Sequence, residues 1–205
     1  MKKIFLTVMI AGLVGVSLNA YSDTTTSTTS ILSKNRKYDQ EGIELYNSNL
    51  DMKSMKRIGA GLVAGGLAGL IGLNIEINIE PENTFFLGLG TGKGFNTFNF
   101  GYKKNFESLY MSPYTKVGFS QWYNSSKSDE TVGPNSNILR QVLSDNEIQN
   151  NKFNVNFLAG GAGLEYNQLE GDLSGLNLFG EVIVMADLAT FKIQPTGSIG
   201  ITYFY

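Results

Sequence analysis

Apolar and polar residues alternate along most of the chain from Met55 onward, in short segments that turn-forming residues separate. In the first clear segment Leu73, Ile75 and Ile77 alternate with Asn or Glu, and Pro81-Glu82-Asn83 follows as a turn. A period of two places alternate side chains on opposite faces of a β-strand. The pattern predicts seven strands, over 71–80, 84–92, 96–105, 112–123, 152–167, 175–187 and 192–205.

The stretch 58–73, IGAGLVAGGLAGLIGL, allows two interpretations. Its spaced glycines would suit a membrane helix with a glycine zipper. However, the run is shorter than the roughly 20 residues that a spanning helix needs, and glycine is a poor helix former. We therefore favour an eighth strand over 56–65, followed by a connection near Gly66 to Gly69.

The chain begins with the three-part layout of a secretory signal peptide. Lys2 and Lys3 precede the apolar run 4–18, and Ala20 offers a small residue at a cleavage site. The sequence thus predicts a signal peptide over 1–20, a polar N-terminal extension over 21–54 and one domain over 55–205. No cysteine is available for a lipid anchor.

The composition excludes several functional classes. The chain has no histidine and no cysteine, which removes Ser-His and Cys-His catalysis, disulfides and His- or Cys-ligated metals. Without the two leader lysines, 14 basic residues face 18 acidic ones, a net charge of about −4 that argues against a nucleic-acid partner. We expect no cofactor, no metal and no enzymatic activity.

Two polar segments lack strand periodicity. In the extension, SDTTTSTTS is a low-complexity run that predicts disorder, and the following residues are interpreted as a linker. The cluster Ile43, Leu45 and Tyr46 leaves open a helical turn docked on the domain. The second polar segment, 124–151, predicts a long loop, and Asn137 to Leu143 within it suits a helical turn with Ile138, Leu139 and Val142 on one side.

One predicted strand shows an apparent change of phase. Phe153, Val155, Phe157 and Ala159 alternate with asparagines, whereas Leu164 and Tyr166 flank Glu165 further along. A β-bulge at Ala159-Gly160-Gly161 would account for the shift.

The end of the chain carries a more specific pattern. An aromatic last residue with apolar residues at every second position before it resembles the C-terminal signature of Gram-negative outer-membrane barrels. The residues of this signature are Ile199, Ile201, Tyr203 and Tyr205. The resemblance implies recognition by the barrel-insertion machinery and location in the outer membrane, in contact with its lipid.

Aromatic residues also gather near predicted strand ends, as the interfacial girdles of such barrels do. They are Phe85, Phe106, Tyr110 and Tyr114 by short turns and Trp122, Tyr123 and Phe153 around the long loop. Single-chain bacterial barrels have an even number of strands, which also favours the eighth strand. The whole resembles small barrels of the OmpA and OmpX type, an all-β, eight-stranded antiparallel transmembrane β-barrel with short periplasmic turns and one long extracellular loop.

In this topology charged residues and glycines share the face opposite the apolar one. An eight-stranded barrel has an interior that side chains just fill, so small neighbours must make room for long ones. We expect Gly59, Gly61, Gly88, Gly90, Gly101 and Gly118 to play this part. The charged residues expected to pair in the lumen are Glu76, Glu80, Lys103, Lys116, Glu165, Glu181 and Lys192.

Our leading hypothesis is a non-enzymatic outer-membrane protein with a structural or adhesive role, in which 124–151 contacts a surface partner or is simply solvated. The alternatives are a narrow pore, a barrel that passes apolar compounds into the bilayer, and a soluble lipocalin-like carrier. An enzyme based on glutamates alone is the least favoured hypothesis.

Overall fold

Eight antiparallel strands form a closed barrel in the computed structural model, which describes residues 42–124, 136–144, 147 and 153–205. Each strand pairs with its neighbours along the chain, and β8 pairs back with β1. Closure leaves no unpaired sheet edge, and the predicted fold class is confirmed. The strands are β1 Ile58–Gly65, β2 Ile71–Glu80, β3 Asn83–Gly92, β4 Phe95–Asn105, β5 Met111–Asn124, β6 Asn154–Asn167, β7 Leu176–Asp187 and β8 Ile193–Phe204.

The two ends of the barrel differ. One end, here called the helix end, carries the connections 81–82, 106–110 and 168–175 and the helix α1, Asn49–Met55, which precedes β1. The other, the long-loop end, carries the connections 66–70, 93–94, 125–153 and 188–192. The connection 66–70 contains a 3-10 helix, Gly66–Ala68, and the long loop contains α2, Asn137–Val142. The predicted signal peptide, all of 21–41 and most of 124–151 lie outside the described residues.

Within residues 42–124, 136–144, 147 and 153–205, no helix has the length and apolar character needed to cross a membrane.

The outward face of the strands is an uncharged belt. Large apolar side chains are well exposed there, such as Leu73 at 61%, Val182 at 68% and Ile199 at 68%. On the described strands, the outward charges stand only at the helix-end rim, at Lys104 and Glu80. The inward positions instead carry charged, amide and hydroxyl groups near the helix end and apolar groups near the long-loop end.

Strand β6 has no bulge. Its pairing with β5 and β7 is continuous from Asn154 to Asn167, so Val155, Phe157 and Ala159 face inward together with Glu165. The predicted phase shift was wrong because the lumen itself changes from polar to apolar along the strand. The outward Asn154 and Asn156 stand beyond the apolar belt.

The connection between β1 and β2 folds into the barrel mouth. Leu67 and Ala68 are buried, and Gly65, Gly66 and Gly69 adopt positive φ angles between 58° and 85°. Residues with a Cβ are strained in this region, so the glycines permit the inward fold. The apolar dipeptide is therefore part of the core.

Three residues predicted for the girdles face the lumen instead. Tyr114, Trp122 and Phe153 are at most 4% exposed. Tyr114 lies among the charged groups, whereas Trp122 stacks on Phe95 with ring centroids 4.9 Å apart in the apolar cluster. Alternation alone did not separate an aromatic at a strand end from one inside the barrel.

Candidate functional site

The centre of the lumen holds a buried ion-pair network. Lys103 on β4 bridges Glu76 on β2, at 2.5 Å, and Glu165 on β6, at 3.3 Å. A second pair joins Lys116 on β5 to Glu181 on β7 at 2.7 Å. These long charged side chains reach across the barrel, and their pairing offsets the cost of removing them from water. The predicted lumen glycines instead make room for uncharged neighbours, Phe86 at Gly101 and Gly118, Asn99 at Gly88 and Phe204 at Gly59.

Neighbouring groups satisfy the rest of the network. The hydroxyl groups of Tyr114 and Ser198 both donate to the carboxylate of Glu181. The ammonium group of Lys103 lies 4.9 Å from the centre of the Tyr114 ring, and that of Lys116 lies 4.8 Å from the Phe86 ring. Lys103 and Lys116 therefore each have an opposite charge and an aromatic neighbour, and Glu181 has two hydroxyl neighbours.

Of the seven charged residues expected in the lumen, five lie there and two do not. The five are Glu76, Lys103, Lys116, Glu165 and Glu181. Glu80 is exposed at the end of β2, where it accepts a hydrogen bond from Asn83. Lys192 is exposed in the β7–β8 connection and donates to the carbonyl of Gln141 at 2.6 Å. Glu80 is the last residue of β2 and Lys192 directly precedes β8. Both lie beside a turn, where alternation no longer decides the direction of a side chain.

A sixth lumen charge, Lys53, comes from outside the barrel strands. This lysine of α1 is fully buried and donates to the side-chain oxygen of Asn105 at 2.8 Å and to the carboxylate of Glu165. Its ammonium group lies 5.6 Å from the centre of the Phe204 ring. With Lys53, three ammonium and three carboxylate groups share the network.

Two further residues, Asn49 and Lys56, fasten the helix to the rim. Asn49 donates from its side chain to the carbonyl of Phe106 at 3.0 Å and accepts from the backbone of Ser108 at 2.9 Å. Lys56 donates to the carbonyl of Ser174 at 2.6 Å and pairs with Glu44 at 3.3 Å. The segment 44–56 thus spans the barrel mouth from the β4–β5 connection to the β6–β7 connection, and we call it the plug.

The interpretation of these residues as a linker was wrong, although the sequence held a signal for the helix. Ser48 is an N-cap whose hydroxyl accepts from Asp51 N at 3.2 Å. Asn49, Met52, Lys53 and Lys56 then recur with helical spacing and form the buried face. The pattern was obscured because most of this face is polar.

Glu44 is held ionised by its neighbours. Burial acts to raise the pKa of its carboxyl, but hydrogen bonds from Ser174 and Tyr46 and the charge of Lys56 outweigh burial and lower it. The contacts that position the plug therefore favour the carboxylate form of Glu44.

Little open space remains in the centre of the lumen. The cavity beside Glu76, Lys103, Tyr114 and Glu181 has a volume of about 30 Å³, which is room for about two water molecules. In the described part of the chain, no three acidic side chains come together as a metal site. The network fills the centre of the barrel, since its charges are paired and the cavity between them is small.

The long-loop end is closed by apolar side chains. Leu67 enters from the β1–β2 connection, and Leu139, Val142 and Leu143 enter from the long loop at α2. They pack on inward residues of the barrel, Phe95, Trp122, Val155, Phe157, Ala159, Ile183 and Met185. Both mouths are thus covered, one by a polar helix and the other by an apolar cluster.

The fold matches a known outer-membrane domain. The N-terminal β-barrel domain of Pseudomonas aeruginosa OprF superposes with a TM-score of 0.51 at 13% identity, covering 73% of this chain and 98% of that domain. The chain has the fold of the small eight-stranded outer-membrane barrels. The resemblance to barrels of the OmpA and OmpX type is thereby confirmed at the level of the fold.

A second barrel protein is also similar. Yersinia pestis Ail, an outer-membrane protein studied in a phospholipid bilayer nanodisc, gives a TM-score of 0.39 at 12% identity, covering 73% of this chain and 99% of Ail. No protein-family model matches the chain, and no curated protein matches it in sequence.

Proposed function

We propose that the protein is an integral outer-membrane protein whose barrel is a sealed, non-enzymatic anchor. The uncharged outward belt carries this proposal. Exposed residues such as Leu73, Val182 and Ile199 are costly in water and favourable in lipid. A lipocalin-like carrier requires the reverse arrangement, with apolar side chains inside and polar ones outside.

The filled lumen supports a sealed barrel over a pore. A solute would have to displace the plug at one mouth, the ion pairs at the centre and the apolar cluster at the other mouth. The central cavity of about 30 Å³ offers no continuous path. Purified protein in planar bilayers should give no single-channel conductance, and steady openings would overturn the sealed barrel.

The role in adhesion or partner binding is assigned to the segment 124–151. Its apolar helical side is turned to the barrel, since Leu139 and Val142 are buried in the mouth. A partner would therefore meet the polar residues of this segment, in keeping with an exposed surface loop. Protease treatment of intact cells should cut within 124–151; cleavage at 81–82 instead would reverse the proposed topology.

The test of membrane insertion is fractionation combined with heat-dependent gel migration. We expect the protein in the outer-membrane fraction, resistant to carbonate extraction, with unheated samples migrating faster than boiled ones because the closed barrel survives in detergent. Recovery in the soluble periplasmic fraction without detergent would refute the proposal.

A further inference from the structure

The ammonium group of Lys53 in the plug is bound by three side chains of the barrel strands, Asn105, Glu165 and Phe204, which we call the seat. Asn105 lies on β4, Glu165 on β6 and Phe204 on β8, and all three contact the ammonium group of Lys53. A carboxylate, an amide oxygen and an aromatic face are the groups that recognise a primary ammonium ion, by charge-assisted hydrogen bonds and by cation–π attraction. None of the three belongs to the plug itself.

The charge of the network requires a cation in this seat. The barrel strands bring three carboxylates to the network, on Glu76, Glu165 and Glu181, but two ammonium groups, on Lys103 and Lys116, and of these carboxylates Glu165 is the one in the seat. Lys53 supplies the third positive charge. Without it, Glu165 would keep a buried carboxylate oxygen that Lys103 does not neutralise, which is unfavourable in a low-dielectric interior.

The seat is also accessible from one direction. It lies beneath α1 at the helix end. Among the described residues the plug covers it, and the plug rests on surface connections of the rim through Asn49 and Lys56. The three contact groups lie on β4, β6 and β8, so a displacement of α1 would leave them on the barrel. The opening would then expose an electronegative pocket.

We propose that the helix end of the barrel is a binding site for a primary alkylammonium group, which Lys53 occupies in cis. The ligand class is an unbranched alkyl chain ending in an ammonium group, as in the lysine side chain. Two of the N–H groups match the amide and carboxylate oxygens, and the positive charge lies near the Phe204 ring. This site is independent of membrane insertion, so detergent-solubilised protein suffices to test it.

Chemical rescue provides the test. The variant Lys53→Ala removes the side chain beyond Cβ, and propylammonium replaces the missing atoms. We expect Lys53→Ala to lower the midpoint of heat-dependent gel migration and propylammonium chloride to recover most of the loss. Tetramethylammonium chloride at equal ionic strength should recover none, because it carries no N–H donor.

Two variants control the rescue. Lys104→Ala removes an exposed lysine at the same end, which pairs with Glu82 at only 3.9 Å, and propylammonium should leave its midpoint unchanged. In Lys53→Ala combined with Glu165→Gln the seat has lost its carboxylate, and the rescue should disappear. Rescue that survives Glu165→Gln, or equal shifts with both salts, would overturn the proposal.

If Lys53→Ala does not fold unaided, the folded yield on refolding from urea into detergent replaces the midpoint. Propylammonium, and not tetramethylammonium, should then raise the fraction of the fast-migrating folded form. An equal yield with and without propylammonium would equally overturn the site.

Discussion

At the scale of single residues, the lumen depends on carboxylates that are shared. Glu165 accepts from Lys53 and Lys103, which reach it from the plug and from β4. Glu181 accepts from Lys116, Tyr114 and Ser198. A buried charge of this kind is tolerated only while its partners remain, so loss of one partner costs more than loss of the pair.

This asymmetry predicts the outcome of a double-mutant cycle at Glu181 and Lys116. Glu181→Leu leaves the mostly buried Lys116 without its carboxylate and should lower the unfolding free energy by about 3–5 kcal/mol. Lys116→Met together with Glu181→Leu should cost less than Glu181→Leu alone. Urea titration in detergent measures both, and additive losses would show that the two charges do not depend on each other.

The lowered pKa of Glu44 predicts that docking of the plug depends on pH. Because the pKa of the docked state lies below the ordinary value of 4.5, this stabilisation is present above that value and is lost as the pH falls through the docked-state pKa. The variant Asn47→Cys introduces a single cysteine at an exposed position of the plug. A spin label attached to it should become more mobile at acid pH.

The matched control for this prediction is a pair of glutamate substitutions. Glu44→Gln should loosen the plug already at neutral pH and flatten its response to acid, whereas the exposed Glu107→Gln should behave like the parent. Equal acid responses in the Glu44→Gln and Glu107→Gln proteins would assign the pH dependence to another group.

At the scale of elements, two glycines of β3, Gly88 and Gly90, leave space for different neighbours, a side chain in one case and a backbone carbonyl in the other. A Cβ at Gly88 would lie 2.6 Å from the side chain of Asn99, whereas one at Gly90 would lie 2.2 Å from the backbone carbonyl of Ala68. Both glycines lie on the lumen face of β3. The neighbour of Gly88 is a side chain that a substitution can shorten, whereas the neighbour of Gly90 is backbone.

We therefore expect Gly88→Ala and Gly90→Ala each to cost about 1–3 kcal/mol of unfolding free energy, with different responses to a second change. Asn99→Ala should recover most of the loss in Gly88→Ala. No single side-chain truncation should rescue Gly90→Ala, because the 3-10 helix must leave the mouth. Thermal unfolding of Gly88→Ala and Gly90→Ala, each with and without Asn99→Ala, measures the difference, and equal rescue of both glycine variants would contradict the clash distances.

The strands followed from the sequence better than the segments between them. Period-two alternation located seven strands, because the apolar belt requires an apolar side chain at each outward position. The glycine content of 58–73 and the even strand number added β1, and all eight were placed within two residues at each end. The direction of Phe157 and Trp122 could not be read in this way, since an apolar residue suits the lipid face and the long-loop half of the lumen equally well.

The candidate site was predictable in part for the same reason. An inward lysine or glutamate within a strand, such as Lys103 or Glu165, stands out against apolar neighbours. Lys53 does not, because it lies in a polar segment and reaches the lumen only through the tertiary docking of α1. Nothing in the sequence around its partner Glu165 indicates a contact with Lys53.

At the scale of the whole molecule, the belt separates a membrane barrel from a water-soluble one. Val182→Arg places a charge near the middle of the belt and should lower the unfolding free energy in lipid bilayers by about 2–4 kcal/mol. Leu173→Arg, at a similarly exposed residue in the β6–β7 connection, should change it little. Urea unfolding in liposomes measures both, and equal small effects would argue against insertion of this face in lipid.

The closure of the barrel also sets an order of assembly. β1 finds its second partner only in β8, the strand most distant along the chain, and Tyr205 N then donates to Ile58 O at 2.8 Å. Pairing over so long a loop is slow to form. The seat of Lys53 needs Phe204 of that last strand, so α1 can settle only after the two ends of the sheet have met. Immobilisation of the helix would thus report that a barrel has finished closing, a late event that secondary-structure content does not reveal.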